Sequence, residues 1–298
     1  DNVGRFMSEY GFQSFPEPRT VEGYAPDEQM ALESDVMLSH QKNGHGNRLI
    51  KTYMDRYMRE PKDFRSFLLM SQALQAEGVG RAMEAHRRNK PYCMGSLYWQ
   101  INDCWPVASW SSMDYHGRWK ALHYAAKRLY RDTAVVVERA NGMLRFHVIH
   151  DRNEPAVGEV RIRLADYAGK EHKSWTIPVL VAAGERAVVH AAPEADVLGG
   201  LAREQAVLIA DLTVGGSRRD EKRVYFVDGK SLPLEPVAIR VEPVPGDGGA
   251  QNPGAAQGGA GHRVGGAQGS VGAQDHGGIR NDGLSRGNDT VRGPGAAR

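Results

Sequence analysis

The sequence predicts an α/β segment followed by an all-β domain and a low-complexity tail. Three observations predict it. Two segments, residues 5–16 and 95–106, each run a short apolar stretch into a polar or aromatic residue and then break at Gly or Pro, with helical periodicity between and after them. From Thr133 the period shortens to alternating segments separated by turn residues, as in an antiparallel sandwich. Beyond Pro245, Gly, Ala, Gln, Asn and Pro dominate and large apolar residues are sparse.

In the first segment, Arg5 to Glu9 reads as a strand. Alternation places Met7 and Glu9 on one face, with Glu9 at the inward tip of a barrel-type strand whose C-terminal rim carries function. An unpaired buried carboxylate is costly, so Glu9 needs a reason to be there. Glu17 to Tyr24 reads as a polar loop. Pro26-Asp27-Glu28 opens a helix-like stretch, Gln29 to His40, with acids in its first turn. Gln41 to Asn47 holds two Gly and no apolar residue, so it is a loop.

Asn47 to Glu60 reads as a helix stopped by Pro61, and Asp63 to Asn89 as the longest helix, weakened midway by Gly78 and Gly80. The basic cluster Arg81, His86, Arg87, Arg88 and Lys90 suits a solvated helix C-terminus, where cations meet the negative pole of the dipole. Pro91 hands over to the strand Tyr92 to Ile101, and Trp119 to Tyr130 is the next helix. Residues 1–131 therefore read strand, helices, strand, helix.

Seven short segments follow: Thr133 to Arg139, Met143 to His150, Val157 to Leu164, Ser174 to Val181, Arg186 to Ala191, Ala206 to Val214 and Lys222 to Val227. Turn signals such as Asn141-Gly142, Gly184, Gly199-Gly200 and Gly215-Gly216 separate them. Residues 132–230 thus form the β-sandwich, 231–244 a linker or one more strand, and 245–298 a disordered Gly/Ala-rich tail that cannot bury enough surface to offset ordering entropy.

The bulk composition excludes several classes. Of 298 residues, 41% are hydrophobic and 25% charged, which are globular values. The net charge of +2 gives no electrostatic case for nucleic acid or an anionic membrane, and no apolar run reaches the length of a membrane span. Cys93 and Cys104 read as two buried thiols, and two cysteines alone cannot supply a structural zinc site. The N-terminus, Asp1-Asn2-Val3-Gly4, shows no signal-peptide pattern and reads as a cut end. The compartment is left open, with the cytoplasm slightly favoured, and so is the oligomeric state.

The two rim segments carry a family resemblance. Phe6-Met7-Ser8-Glu9-Tyr10-Gly11-Phe12-Gln13-Ser14-Phe15-Pro16 resembles the nucleophile strand of the β-mannosidases of glycoside hydrolase family 2. Leu97 through Trp110, then Asp114-Tyr115-His116-Gly117-Arg118-Trp119-Lys120-Ala121-Leu122-His123-Tyr124, resembles the last barrel strand and helix of the same enzymes. The resemblance covers roughly residues 1–230. It implies that residues 1–131 are the C-terminal βα units, the seventh and eighth, of a (β/α)8 TIM barrel, and that the following domain is immunoglobulin-like.

The resemblance also implies a retaining exo-β-glycosidase that removes terminal β-D-mannose through a covalent glycosyl-enzyme, with no metal and no organic cofactor, since two carboxyls carry the chemistry. Glu9 is the implied nucleophile. The family's acid/base is an Asn-Glu pair on an earlier strand, and none precedes Glu9; Asn153-Glu154 lies in turn chemistry of the sandwich. The chain alone is therefore expected to be inactive, its partners being a β-mannoside or manno-oligosaccharide substrate and the N-terminal remainder of the enzyme. Trp99 is the implied base of the sugar site, its indole face suiting a pyranose. Asp103 either binds a sugar hydroxyl or caps the turn before Pro106. His45 and Asn47 are rim residues that meet sugar or order the loop, or else turn and N-cap residues. The alternatives are a non-catalytic carbohydrate or interaction module built on the sandwich, and a β-galactosidase or β-glucuronidase relative.

Overall fold

The computed structural model of the chain describes residues 3–235. The expectations for most of the segment 231–244 and for the tail 245–298 lie outside the described residues. Residues 234 and 235 stand in no strand. The guanidinium of Arg59 donates to the carbonyls of Lys230 and Leu232, holding this stretch to the end of a helix.

The helical part comprises α1 (Pro18–Glu22), α2 (Asp35–Ser39), α3 (Gly46–Tyr57), α4 (Phe64–Arg88) and α5 (Ala121–Leu129). The long helix and the last helix match expectation. Asp63 caps α4 by accepting from the Ser66 amide at 2.6 Å, and Arg87 and Arg88 sit in its last turn. Gly80 is where α4 meets α5: a Cβ there would lie 3.1 Å from Leu129.

Two elements differ from expectation. Residues 17–24 hold α1, started by Pro18 at its first position, where the missing N–H costs nothing. Its Thr20 and Val21 are buried, so packing overrides the polar appearance. The expected helix Gln29 to His40 is broken into a 3₁₀ turn, Asp27–Gln29, and α2. Ser34 ends the break by capping α2: its hydroxyl accepts from Met37 N at 3.2 Å and donates to Gln29 O at 2.7 Å. Around these helices Phe15, Val21, Met37, Ile50, Met54, Phe67 and Leu68 form one core, and Val79, Met83, Leu122 and Ala126 join α4 to α5.

The strands β1 (Thr133–Ala140), β2 (Met143–His150), β3 (Ala156–Asp166), β4 (Glu171–Val181), β5 (Arg186–Pro193), β6 (Ala206–Val214) and β7 (Ser217–Tyr225) form two antiparallel sheets, ordered β1-β2-β5 and β4-β3-β6-β7. The inner faces bury Val135, Leu144, Phe146, Val148, Val160, Ile162, Leu164, Leu208, Ala210 and Leu212 in one core. Asn141 and Gly142, both at positive φ, make the two-residue turn between β1 and β2. The short helix α6 (Glu194–Leu198) follows β5 and was not expected. Its buried Glu194 is clamped by Arg139 and Arg203.

The helical part and the sandwich are joined along α4. Near the middle of that helix, Ser71 and Gln75 bind the segment 12–15. Ser71 Oγ accepts from Phe15 N at 3.1 Å, and Gln75 donates to Phe12 O at 2.7 Å. Near its C-terminus Glu84 pairs with Lys222, Arg87 with Asp151 and Arg88 with Glu138. Among the described residues no helix is long and apolar enough to cross a membrane.

Candidate active site

The two rim segments lie side by side in parallel. Met94 N donates to Arg5 O, Met7 N to Gly95 O and Leu97 N to Met7 O, each at 2.9 Å. The expected strands Arg5 to Glu9 and Tyr92 to Ile101 are nevertheless reduced to one parallel bridge, Met7 with Ser96. Parallel pairing is the weaker kind per residue, and among the described residues no strand flanks this pair.

The ladder slips on both sides of that bridge: before it, Met94 N rather than Gly95 N donates to Arg5 O. After Leu97 N to Met7 O, a regular parallel ladder would take Trp99 N to residue 9. Instead Trp99 N donates to Tyr10 O at 2.8 Å. One extra residue is inserted on the first segment between Met7 and Tyr10, which is the geometry of a bulge. The alternation that would set Met7 and Glu9 on one face is interrupted there, and Glu9 is exposed. Tyr10 goes the other way. Its hydroxyl meets Ser96 Oγ at 2.7 Å, its ring packs edge-on against His86, and burial pushes its phenol up from the ordinary value.

Glycine permits this close approach. A Cβ on Gly11 would lie 2.3 Å from Trp99 O, and one on Gly95 would lie 2.0 Å from the Phe6 ring. Trp99 is followed by a cis peptide to Gln100. Further along the same segment Cys104 stands in a bend and is exposed, against expectation, while Cys93 is buried. Leu97, Trp99 and Ile101 are 55%, 49% and 57% exposed, and Phe6 and Met94 are exposed too, so the open side is largely apolar.

Below the rim lies a buried polar network. Asp103 accepts from Ser109 Oγ at 2.7 Å, from Ser111 Oγ at 2.5 Å and from Gln100 Nε2 at 3.3 Å, with Lys42 Nζ 3.6 Å away. Lys120, fully buried, places Nζ 3.3 Å from Ser14 O and 3.5 Å from both Ser109 O and Ser111 Oγ. Burial pushes its amine down to about 7, against the pull of Asp103, Asp114 and Glu17. Asp114 accepts from Thr20 Oγ1 and from the amides of His116 and Arg118, fixing the turn before α5.

The loop residues divide. Asn47 is buried: its amide donates to Leu32 O at 2.9 Å and Met37 O at 3.4 Å, and its oxygen accepts from Gln41 at 2.7 Å. Gln41 in turn accepts from Gln13 at 2.7 Å, linking the loop to the first rim segment. His45 precedes α3 and is exposed, its side chain making no cap. The rim thus brings Glu9 and Trp99 onto adjacent backbones, ties Asp103 to the segment of Trp99 through Gln100 and keeps Asn47 within the loop packing. Gln13, Lys42, Gln100 and Lys120 escaped the sequence reading. Lys120 carried one signal: it is the residue before α5, where a cation faces the positive helix pole without benefit. Among the described residues no group of three or more His, Cys, Asp or Glu side chains could hold a metal ion.

Comparison with known proteins follows the same division of the chain. Residues 142–231 match the Mannosidase Ig/CBM-like domain. A β-mannosidase of Capra hircus is 31% identical over 241 residues, 75% of this chain and 27% of the relative, and β-mannosidase B of Aspergillus niger is 32% identical over 177 residues, 54% of this chain and 21% of the relative. The crystal structure of a β-D-mannosidase from Dictyoglomus thermophilum superposes with a TM-score of 0.72 at 27% identity, covering 77% of this chain and 28% of that one. An exo-chitosanase of Amycolatopsis orientalis, TM-score 0.60 at 19% identity, shares the fold. The chain spans about a quarter of the length of these relatives. Matched in its sandwich by the domain model and along three quarters of its length by the goat enzyme, the chain belongs to the β-mannosidases of glycoside hydrolase family 2.

Proposed function

We propose that residues 1–131 are the seventh and eighth βα units of a (β/α)8 barrel, and that they supply the nucleophile half of a retaining exo-β-mannosidase site. Glu9 attacks the anomeric carbon of a terminal β-mannoside, and the glycosidic C–O bond breaks as a proton reaches the leaving oxygen. Water then cleaves the glycosyl-enzyme. The proton donor, a second carboxyl about 5 Å away, comes from polypeptide outside this chain. Trp99 lies under the sugar ring. Asp103, its carboxylate engaged by Ser109, Ser111 and Gln100, positions the Trp99–Gln100 segment from beneath. Asn47 orders the loop from which His45 can reach substrate.

One observation carries this reading. The register slip between Met7 and Tyr10 separates a pinned tyrosine from an exposed carboxylate beside the segment of Trp99. The apolar open side, with Phe6, Met94, Leu97 and Ile101 exposed, supports it as a surface that neighbouring barrel strands cover. The test uses 4-nitrophenyl β-mannoside. The 298-residue chain alone gives no turnover. Mixed with a polypeptide carrying the other barrel strands it gains activity that Glu9→Ala abolishes, and azide restores that variant's turnover as α-mannosyl azide. Turnover by the chain alone, or an active Glu9→Ala mixture, would refute the proposal.

A further inference from the structure

The outer face of the four-stranded sheet forms a second surface, away from the rim. Alternation and register define it. Val224 and Phe226 pack into the sandwich core, so Tyr225 of β7 points outward. In register beside Tyr225 stand Val207 of β6 and then Ala165 of β3. At the end of that row Tyr167 leaves the β3–β4 turn, and its ring lies parallel to that of Tyr225, interplanar angle 8°, centroids 6.5 Å apart. The rings are 37% and 45% exposed. No outward side chain in that row between the two tyrosines is larger than valine. The turn that holds Tyr167 is fixed: Asp166 accepts from the amides of Ala168 and Lys170 at 3.0 Å and pairs with His172 at 2.8 Å.

Beyond that row the same face carries four arginines, Arg161, Arg163, Arg218 and Arg223, against Asp211, Glu221 and Glu159, with Glu171 beside Ala165, so positive and negative charges are equal in number. Arg163 and Arg218 pair with Asp211 at 2.8 and 2.6 Å, and Arg223 pairs with Glu221 at 2.8 Å. Nε of Arg163 has no partner. The surface is therefore dense in donors and acceptors but carries no field of one sign. Nucleic acid or an anionic membrane needs a positive field, and an apolar peptide needs fewer charges. Two parallel, partly exposed aromatic rings beside compensated hydrogen-bonding groups suit a neutral, polyhydroxylated chain, whose apolar ring faces meet the tyrosines and whose hydroxyls meet the ion pairs.

We propose that this face binds a neutral polysaccharide, with Tyr167 and Tyr225 as the platform. The choice of a β-linked mannan as occupant rests on the function proposed above. The test is native affinity electrophoresis of the full chain in gels containing soluble β-mannan, dextran or heparin. Mannan is expected to retard the chain. Tyr167→Ala and Tyr225→Ala are each expected to weaken retardation about three- to tenfold, the value of one aromatic contact. Tyr225→Phe keeps the ring and retains binding. Glu9→Gln, which disables the proposed nucleophile, leaves retardation unchanged, so failure at the rim and failure on this face are distinguishable. Absence of retardation by mannan and dextran alike, retardation by heparin alone, or unchanged retardation in the two alanine variants with native circular dichroism would overturn the proposal, whereas retardation by dextran without mannan would overturn the choice of mannan.

Discussion

Lys120 offers a direct measurement of what the buried network beneath the rim costs. Its amine has no exposure and is held near 7 instead of its ordinary 10.5. Desolvation is the largest cause, and the carboxylates of Asp103, Asp114 and Glu17 offset only part of it. In the unfolded chain the amine keeps its proton to about pH 10.4. Folded, it releases the proton near 7. Between these values the unfolded state binds more protons, so stability rises with pH. At about 1.4 kcal/mol per pH unit, the rise from pH 7 to 10 is about 4 kcal/mol. Above pH 10 the sign reverses, because burial holds the Tyr10 and Tyr24 phenols protonated in the folded state while the unfolded chain ionises them. The assay is urea unfolding at pH 7, 8, 9 and 10, followed by tryptophan fluorescence. Trp99, Trp105, Trp110 and Trp119 lie in the first part of the chain and only Trp175 in the sandwich, so the signal reports mainly the rim. Lys120→Met keeps the aliphatic stem and removes the titration, so its profile is flat over pH 7–9. A wild-type stability that is level or falls between pH 7 and 9, or a Lys120→Met profile with the same slope, would refute the reasoning.

Two further outcomes follow from the same geometry. Gly11→Ala forces a methyl to 2.3 Å from the Trp99 carbonyl and should destabilise the rim by about 1–3 kcal/mol, read in the same urea titration. Asn47→Ala strips the Leu32 and Met37 carbonyls and the Gln41 amide of their partner, at a cost of about 2 kcal/mol; Asn47→Asp, which sets a carboxylate against those two carbonyls, should lower the thermal midpoint further than alanine does.

The elements legible in the sequence were those whose own residues decide them. Helix α4 is specified by its periodicity, the Asp63 cap and the basic last turn, and its expected bounds fall within a residue of those found. Strands β2 and β6 were read to the residue because Asn141-Gly142 and Gly215-Gly216 mark where the chain must turn. β7 begins earlier than expected, at Ser217, because Ser217 to Glu221 is polar and pairs with β6 only through the register that the turn imposes. Helix α1 was hidden because five residues carry too little periodicity. Pairing of the two rim segments and their shared direction could be anticipated from two like motifs. The slip at Glu9 could not, since a bulge depends on the partner strand's register. Nor could the sequence show that Asp103 and Lys120, 17 positions apart, meet around Ser109 and Ser111.

The 25 residues of α4 span roughly 37 Å at 1.5 Å per residue. Its middle grips the backbone just after Glu9 and its far end is bolted to the β-domain by three ion pairs. Trimming the chain at residue 132 to isolate the rim would therefore free the distal end of the rod that positions it. An engineered enzyme stripped of its β-domain should be rescued less by mending the loops than by replacing those three anchors.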